Sequence, residues 1–267
     1  MAAIAFRDVV KLFPLKSNGS AHSVRALDGI SFDVSDGEIV ALLGPSGCGK
    51  TTALRIAMGL DSATSGSVIV NGRVVTGCGH DRGMVFQHAE LLPWSTALEN
   101  VKFGLRMKGV SEPELTQTAL HHLDLVGLAG AREQRPHQLS GGMKQRVGIA
   151  RALAIDPAIL LMDEPFGALD SQTREVLQTE LLGIHAKTRK TIIFVTHDLD
   201  EAVLLANRVV VMAAGRVRAI VPVSLGDARR DVRELRGAPQ FPRIRAHVWE
   251  TLHAGDGLAH TQMETAP

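Results

Sequence analysis

A glycine-rich loop followed by lysine and threonine is the first feature of this sequence that could carry out chemistry. Residues 44–51 read GPSGCGKT and fit the pattern G-x-x-x-x-G-K-[ST]. In this pattern the backbone N–H groups of the loop surround phosphate oxygens, and the N-terminus of the following helix adds positive potential. Lys50 is expected to reach the β- and γ-phosphates, and the Thr51 hydroxyl is expected to be a ligand of Mg²⁺. The loop therefore predicts a binding site for Mg-ATP, with an incidental glycine-rich turn as the alternative.

Two adjacent acids follow an apolar run later in the chain. Residues 159–162 read ILLM and are followed by Asp163 and Glu164. In α/β proteins, ligands bind at the carboxyl ends of buried parallel strands. Asp163 is expected to hold Mg²⁺, directly or through water, and Glu164 is expected to polarise the attacking water as a general base. The alternative is a pair of acids that solvates a strand end, and the phosphate-binding loop elsewhere in the chain favours the catalytic interpretation.

A serine and two glycines precede a third candidate segment. Residues 139–143 read LSGGM and are followed by a helical run at 144–154. Ser140 and the glycines would leave free backbone N–H groups at a helix N-terminus, which favours phosphate binding. The alternative is an ordinary N-cap, for which serine is a preferred residue. Considered alone, this segment favours the N-cap.

The elements that must position these residues alternate between strand and helix. Short apolar runs at 39–43, 159–162, 192–196 and 209–213 are typical of strands that are buried on both faces. Helical stretches separate them, including residues 50–59 directly after the loop. This alternation predicts a parallel sheet that is covered on both faces by helices.

Other segments lie outside that alternation. Residues 4–10 and 30–34 are predicted strands with a loop near 16–20, and residues 67–75 are a predicted hairpin around an Asn-Gly turn. Residues from about 91 to 154 have helical periodicity and are interpreted as an insertion into the sheet.

Composition restricts the class of partner and the compartment. The net charge is +1, with 29 basic and 28 acidic residues, which argues against a nucleic-acid-binding protein. The two cysteines are Cys48, inside the loop, and Cys78, and this use of cysteine favours a reducing, cytoplasmic compartment. No apolar run approaches the roughly 18 residues that span a bilayer. We expect a protein that serves a membrane, if at all, from outside the lipid.

The combined motifs resemble those of the ATP-binding cassette (ABC) ATPases, the nucleotide-binding subunits of ABC transporters. The loop is similar to the Walker A motif, residues 159–163 are similar to Walker B, and residues 139–143 are similar to the LSGGQ signature, with Met143 in place of glutamine. The motifs occur in the order that the family has. Gln87 also matches the Q-loop glutamine, Ala168, Leu169 and Asp170 match the D-loop, and His197 matches the switch histidine.

The resemblance implies a fold and a domain organisation. The fold is an α/β P-loop NTPase cassette with a parallel-sheet core, an antiparallel β subdomain and an inserted helical subdomain. The ATP-binding domain is expected at residues 1–221, with its helical subdomain at about 91–154. Residues 222–267 are expected to be a short arginine-rich tail, with an amphipathic helix near 241–252.

The resemblance also implies residue roles. Two copies would pair head-to-tail, so that Ser140 and Gly142 of one cap the ATP held by the Walker A motif of the other. His197 would contact the γ-phosphate, and Gln87 would link the Mg²⁺ and water site to a membrane partner. Phe13 would stack on adenine, with a core residue as the alternative. The expected nucleotide-binding residues are Phe13, Gly44, Pro45, Ser46, Gly47, Cys48, Gly49, Lys50, Thr51, Thr52, Ser140 and Gly142; the catalytic residues are Glu164, His197 and Gln87; the metal ligands are Thr51, Gln87 and Asp163.

Three local matches resemble the nitrate, sulfonate and taurine importer branch of the family. They are DRGMVFQ at 81–87 with LLPW at 91–94, DEPFGALD at 163–170 and APQFPRIR at 238–245. The resemblance implies that the chain hydrolyses ATP at the cytoplasmic face of the inner membrane and energises uptake of such a solute. The partners would be a separate membrane permease and, indirectly, a solute-binding protein. The alternatives are an exporter cassette, a soluble ABC ATPase, and a regulatory ATP-binding module without turnover.

Overall fold

The computed structural model describes residues 2–17, 20–167, 169–226 and 231–254. Its strands are β1 (Ala2–Ser17), β2 (Ser20–Ser35), β3 (Ile39–Leu43), β4 (Ser65–Val70), β5 (Arg73–Val74), β6 (Arg82–Val85), β7 (Ile159–Asp163), β8 (Thr191–Thr196), β9 (Arg208–Ala213) and β10 (Arg216–Pro222). Its α-helices are α1 (Lys50–Met58), α2 (Ala97–Met107), α3 (Glu112–Leu125), α4 (Gly141–Ala154), α5 (Ser171–Thr188), α6 (Leu199–Leu205), α7 (Val232–Arg236) and α8 (Phe241–His253).

A six-stranded sheet carries the fold, in the order β10-β9-β3-β8-β7-β6. The pairs from β9 to β6 are parallel, and β10 pairs with β9 in the antiparallel direction. Every residue of β3, β7 and β8 is buried. Burial on both faces therefore explains the continuous apolar runs, as the sequence indicated.

The two faces of this sheet contribute to two separate hydrophobic clusters. Ile39, Ala41 and Leu43 of β3 pack with apolar residues of α2 to α6, whereas Val40 and Leu42 pack with α1 and the other sheet. Successive side chains of a strand point to opposite faces, so one five-residue strand joins both clusters. The predicted α/β cassette with a parallel core is confirmed.

The antiparallel sheet has the order β2-β1-β4-β5. The predicted hairpin is present, and Asn71 and Gly72 have φ values of 49° and 77° between β4 and β5. The loop predicted near 16–20 is shorter than expected, because β1 continues to Ser17, which pairs with Ser20 at the start of β2, and residues 18–19 lie outside the described residues. At this end, the pairing between β1 and β2 continues through polar segments. Their sequence has no alternation of apolar residues that would identify them as strands.

Helices α2, α3 and α4 lie between β6 and β7 in the chain and pack on one another around Val101, Leu115, Leu123 and Val147. This is the stretch for which the sequence showed helical periodicity. Helix α8 confirms the amphipathic helix that was expected near 241–252, and its Phe241 and Val248 are buried.

Candidate functional site

The phosphate-binding loop connects β3 to α1. Gly47 and Gly49 have φ values of 80° and 101°, which are conformations that favour glycine. A Cβ at Gly44 would lie 2.2 Å from the carbonyl oxygen of Met212 and 2.7 Å from Cys48 Sγ. Gly49 is the N-cap of helix α1 and supplies no side-chain cap, so the first N–H groups of the helix are available to an anion.

Lys50 lies inside this loop. Its side chain is buried, and its ammonium donates to the carbonyl oxygens of Gly44 at 2.7 Å and Pro45 at 2.9 Å. Cys48 Sγ is 3.8 Å from the same nitrogen, and the Cys48 side chain is buried. The cation is therefore held at the centre of the glycine-rich turn, where a bound phosphate would meet it.

Thr51 and Asp163 form the next contact. The Thr51 hydroxyl donates to Asp163 Oδ1 at 3.0 Å, joining the start of α1 to the end of β7. Burial raises the pKa of the Asp163 carboxyl, and the nearby Glu164 adds to this, while the Thr51 hydrogen bond opposes it. A buried carboxylate beside a hydroxyl supplies the oxygen donors that Mg²⁺ takes, so these two residues could hold that ion.

Glu164 is the centre of the predicted catalytic group. Gln87 Nε2 donates to Glu164 Oε2 at 3.2 Å, and His197 Nδ1 lies 3.3 Å from the same oxygen. The three residues follow β6, β7 and β8, which are neighbours in the sheet. Glu164 has a φ of 42°, and its N–H donates to the Val195 carbonyl at 3.1 Å. Such a backbone is uncommon outside glycine and is held here by the adjacent strand.

A cavity of about 420 Å³ joins the loop to this group. Its volume can accommodate the polyphosphate of a nucleotide. It lies at the carboxyl ends of the parallel strands. Its lining includes Ala26 and nine of the residues that the sequence predicted, which are Ser46, Gly47, Gly49, Lys50, Thr51, Thr52, Gln87, Glu164 and His197.

Ser140 and Gly142 do not line that cavity. Ser140 is exposed at the start of α4, where its hydroxyl oxygen accepts from the Met143 N–H at 3.3 Å. A Cβ at Gly142 would lie 3.1 Å from Thr173 Cγ2 and 3.4 Å from Leu169 Cδ2. The N-cap interpretation of Ser140 is therefore correct within one copy, and the role across a dimer stays a prediction.

Two other predicted positions have different outcomes. Phe13 is 38% exposed, and the Lys11 ammonium lies 4.9 Å from the centre of its ring. This exposure excludes the core alternative, and its contact with adenine stays a prediction. Ala168 of the predicted D-loop lies outside the described residues, whereas Asp170 caps α5 by accepting from the N–H groups of Gln172 and Thr173.

Sequence reasoning missed the residues that hold the segment on both sides of Gln87. Gln145 Nε2 donates to the Phe86 carbonyl at 3.1 Å. Arg151 donates to the carbonyls of Ala89 at 2.7 Å and Glu90 at 2.8 Å. Both donors belong to α4, the helix that follows the LSGGM signature segment and is called the signature helix below. The signature helix and the Q-loop are linked by contacts that only the fold reveals.

Among the residues described, no helix combines the length and apolar character needed to cross a bilayer.

Comparison with known proteins agrees with this geometry. A family described as ABC transporter matches residues 27–167. An uncharacterised ABC transporter ATP-binding protein of Methanocaldococcus jannaschii is 52% identical over 220 residues, which are 82% of this chain and 81% of that protein. A taurine import ATP-binding protein of Jannaschia sp. is 44% identical over 252 residues and 93% of both chains. A nitrate import ATP-binding protein of Synechocystis sp. is 52% identical over 196 residues, which are 73% of this chain and 74% of that protein.

A solved structure gives the same result for the fold. The dimeric post-hydrolysis state of an ATP-binding cassette bound to ADP and Pi superposes with a TM-score of 0.76 at 34% identity. The match covers 83% of this chain and 99% of the cassette. The chain therefore belongs to the ABC transporter family, as an ATP-hydrolysing subunit of the importer type.

Proposed function

We propose that this chain hydrolyses Mg-ATP between two head-to-tail copies and thereby energises uptake of a small solute through a separate membrane permease. The observation that carries the proposal is the meeting of Gln87, Glu164 and His197 at the edge of the cavity that contains the phosphate-binding loop. A binding module without turnover has no need of a carboxylate placed beside an amide and an imidazole at that point.

The loop would bind the triphosphate through its backbone. The N–H groups at the start of α1 donate to phosphate oxygens, and Lys50 exchanges its two carbonyl acceptors for the β- and γ-phosphates. Thr51, Asp163 and Gln87 would hold Mg²⁺, which neutralises charge on the phosphates when it is bound. Two of the three proposed Mg²⁺ ligands, Thr51 and Asp163, are already hydrogen-bonded to each other across α1 and β7.

Glu164 would accept the proton of the water that attacks the γ-phosphorus while ADP departs. His197 is within 3.3 Å of the Glu164 carboxylate, so it can donate to a γ-phosphate oxygen beside the attacking water. Gln87 orients the same carboxylate by donating to it. The two neighbours therefore hold the base in one orientation before the water attacks the γ-phosphorus.

The second copy would supply the signature segment. Ser140 is exposed, and its oxygen accepts in the cap, which leaves its O–H proton available to a phosphate of the other copy. A Cβ at Gly142 would meet Thr173 and Leu169, so a larger residue at this position would disturb the segment within its own copy. The dimeric state of one similar cassette, seen in two solved structures, supports such pairing.

The membrane partner and solute are inferred from the surface and from relatives. Trp94 is 70% exposed shortly after the Q-loop, in a position to contact a permease. Relatives at 44–52% identity are named for taurine and nitrate import. We therefore assign a small anionic or zwitterionic solute of that kind, a solute-binding protein as the indirect partner, and a location at the cytoplasmic face of the membrane.

The direct test compares the full chain with Glu164→Gln and with Glu133→Gln, an exposed glutamate that does not line the cavity around Glu164. We expect turnover of Mg-ATP in the original chain and in Glu133→Gln. Glu164→Gln should bind ATP, lose turnover and form an ATP-dependent dimer that light scattering detects. Turnover by Glu164→Gln near the original rate would remove Glu164 as the base and overturn the proposal.

A further inference from the structure

Arg174 is a cation in α5 that the proposed mechanism does not use. Its Nη2 donates to the Leu169 carbonyl at 3.1 Å, just before α5 begins. Its Nη1 lies 3.6 Å from Asp198 Oδ2, and its Nε lies 3.8 Å from Glu201 Oε1. One side chain thus joins the segment that follows β7 to the segment that follows β8.

The two acids that Arg174 contacts fix the chain on both sides of His197, at Thr196 and at Asp198 itself. The Thr196 hydroxyl donates to Glu201 Oε2 at 2.7 Å and accepts from the Asp198 N–H at 3.0 Å. The Asp198 carboxylate accepts from the Glu201 N–H at 3.1 Å and so caps α6. The position of the imidazole therefore depends on a closed set of contacts around two carboxylates.

Arg174 supplies the positive charge in that set. Glu201 is buried, and Asp198 carries a second negative charge in the same helix terminus. Two carboxylates without a cation would repel each other and draw the switch segment out toward solvent. Loss of the Arg174 cation would therefore displace His197 without removing any contact that His197 itself makes.

A small cavity of about 40 Å³ adjoins this set and the catalytic group. Arg174 and Glu201 line it together with Glu164 and His197. The Arg174 Nε is buried and has no hydrogen-bond partner within the described part of the chain. A cavity of that size has room for an ordered water, which would bridge Nε and Glu201 across their 3.8 Å separation.

We propose that Arg174 is a positioning residue for ATP hydrolysis, which holds His197 against Glu164 by joining the Leu169 segment to Asp198 and Glu201. The inference rests on the proposed function of His197 and Glu164. It assigns to α5 a role in turnover without any contact between Arg174 and the nucleotide.

The test uses the full chain with Arg174→Met, Arg174→Lys and a matched control, Arg233→Met. Arg233 of α7 pairs at 3.1 Å with Glu175 of α5, the residue next to Arg174, and its ion pair involves neither Asp198 nor Glu201. Because a displacement of about 1 Å can cost a hundredfold in rate, we expect Arg174→Met to lower kcat by at least about tenfold with KM nearly unchanged. Arg174→Lys should restore part of kcat, and Arg233→Met should match the original chain.

The His197 imidazole signal in NMR spectra of labelled protein gives a second readout that does not depend on turnover. Arg174→Met should shift this signal, and Arg233→Met should leave it in place. An unchanged kcat and an unchanged signal in Arg174→Met would overturn the inference, as would equal losses in both arginine variants. Failure of the original chain to hydrolyse ATP would instead count against the proposed function, so the two failures are distinguishable.

Discussion

Replacement of Arg151 by methionine tests whether the signature helix positions the Q-loop. The guanidinium of Arg151 donates to the consecutive carbonyls of Ala89 and Glu90, two and three residues after Gln87. Methionine has a similar length and no donor, so the variant removes both hydrogen bonds while it keeps most of the packing.

The cost follows from the two contacts. A hydrogen bond to a charged group contributes about 1.5–3 kcal/mol, and the bond to Glu90 is exposed, so its contribution is at the low end of that range. With about 1.5 kcal/mol for the Glu90 bond and about 1.5–3 kcal/mol for the Ala89 bond, we expect Arg151→Met to lower the free energy of unfolding by about 3–4.5 kcal/mol. Gln87 should lose its fixed distance to Glu164, so kcat should fall while the affinity for ATP is retained.

The assay combines urea unfolding with Mg-ATP turnover, and Arg146→Met is the control. Arg146 belongs to the same helix, and its donor contact is with the Val126 carbonyl at 3.3 Å, inside the helical insertion. Arg146→Met should lose stability without a selective loss of kcat. Equal kcat in the two variants after correction for the folded fraction would refute the link between α4 and the Q-loop.

Two further outcomes follow from backbone geometry and from charge. Gly44→Ala should abolish nucleotide binding in a titration calorimeter, because its Cβ would lie 2.2 Å from a β9 carbonyl. The Cβ of Gly47→Ala meets no atom within 4 Å, so this control should lose only about 1 kcal/mol of stability for its positive φ. Burial acts to raise the pKa of Glu38, but the hydrogen bonds from Arg208 and the Ser35 N–H outweigh it and lower that pKa overall. A lowered pKa in the folded state stabilises the protein above about pH 4.5, and this contribution is lost as the pH falls through the folded pKa. Urea unfolding at several pH values should therefore show a steeper acid loss for the original chain than for Glu38→Gln, and parallel curves would contradict this.

The sequence predicts the parts of the site that are contiguous in the chain. The loop at 44–51 and the pair Asp163 and Glu164 are recognisable because each follows an apolar run that is long enough to identify a buried strand. Strand β6 was missed because it has four residues and contains Arg82 and Gly83. Gly83 is required there, since a Cβ would lie 2.9 Å from Pro157 Cγ and 3.0 Å from the Ala152 carbonyl.

The positioning residues were missed for a different reason. Arg151 and the carbonyls it contacts are 61 and 62 residues apart, and Arg174 reaches a carboxylate 27 residues later in the chain. Helical periodicity says which face of a helix is apolar, but it does not say which loop lies against the polar face. Those contacts depend on strand order, and local sequence patterns do not determine the order β8-β7-β6.

The residues that follow these strands also differ in how far their side chains are exposed to solvent. Asp163 is buried at the end of β7, so its carboxylate stays in a constant position. The His197 side chain, in contrast, is 61% exposed and belongs to a short segment after β8. Glu164 lies between them, with a side chain that is 21% exposed. A general base works best when bulk water is excluded, because electrostatic interactions strengthen in a drier site. The open side of Glu164 and His197 therefore needs a cover, and in the proposed dimer the exposed Ser140 segment of the second copy provides it, so that the cavity of one chain becomes a catalytic site only in the assembly.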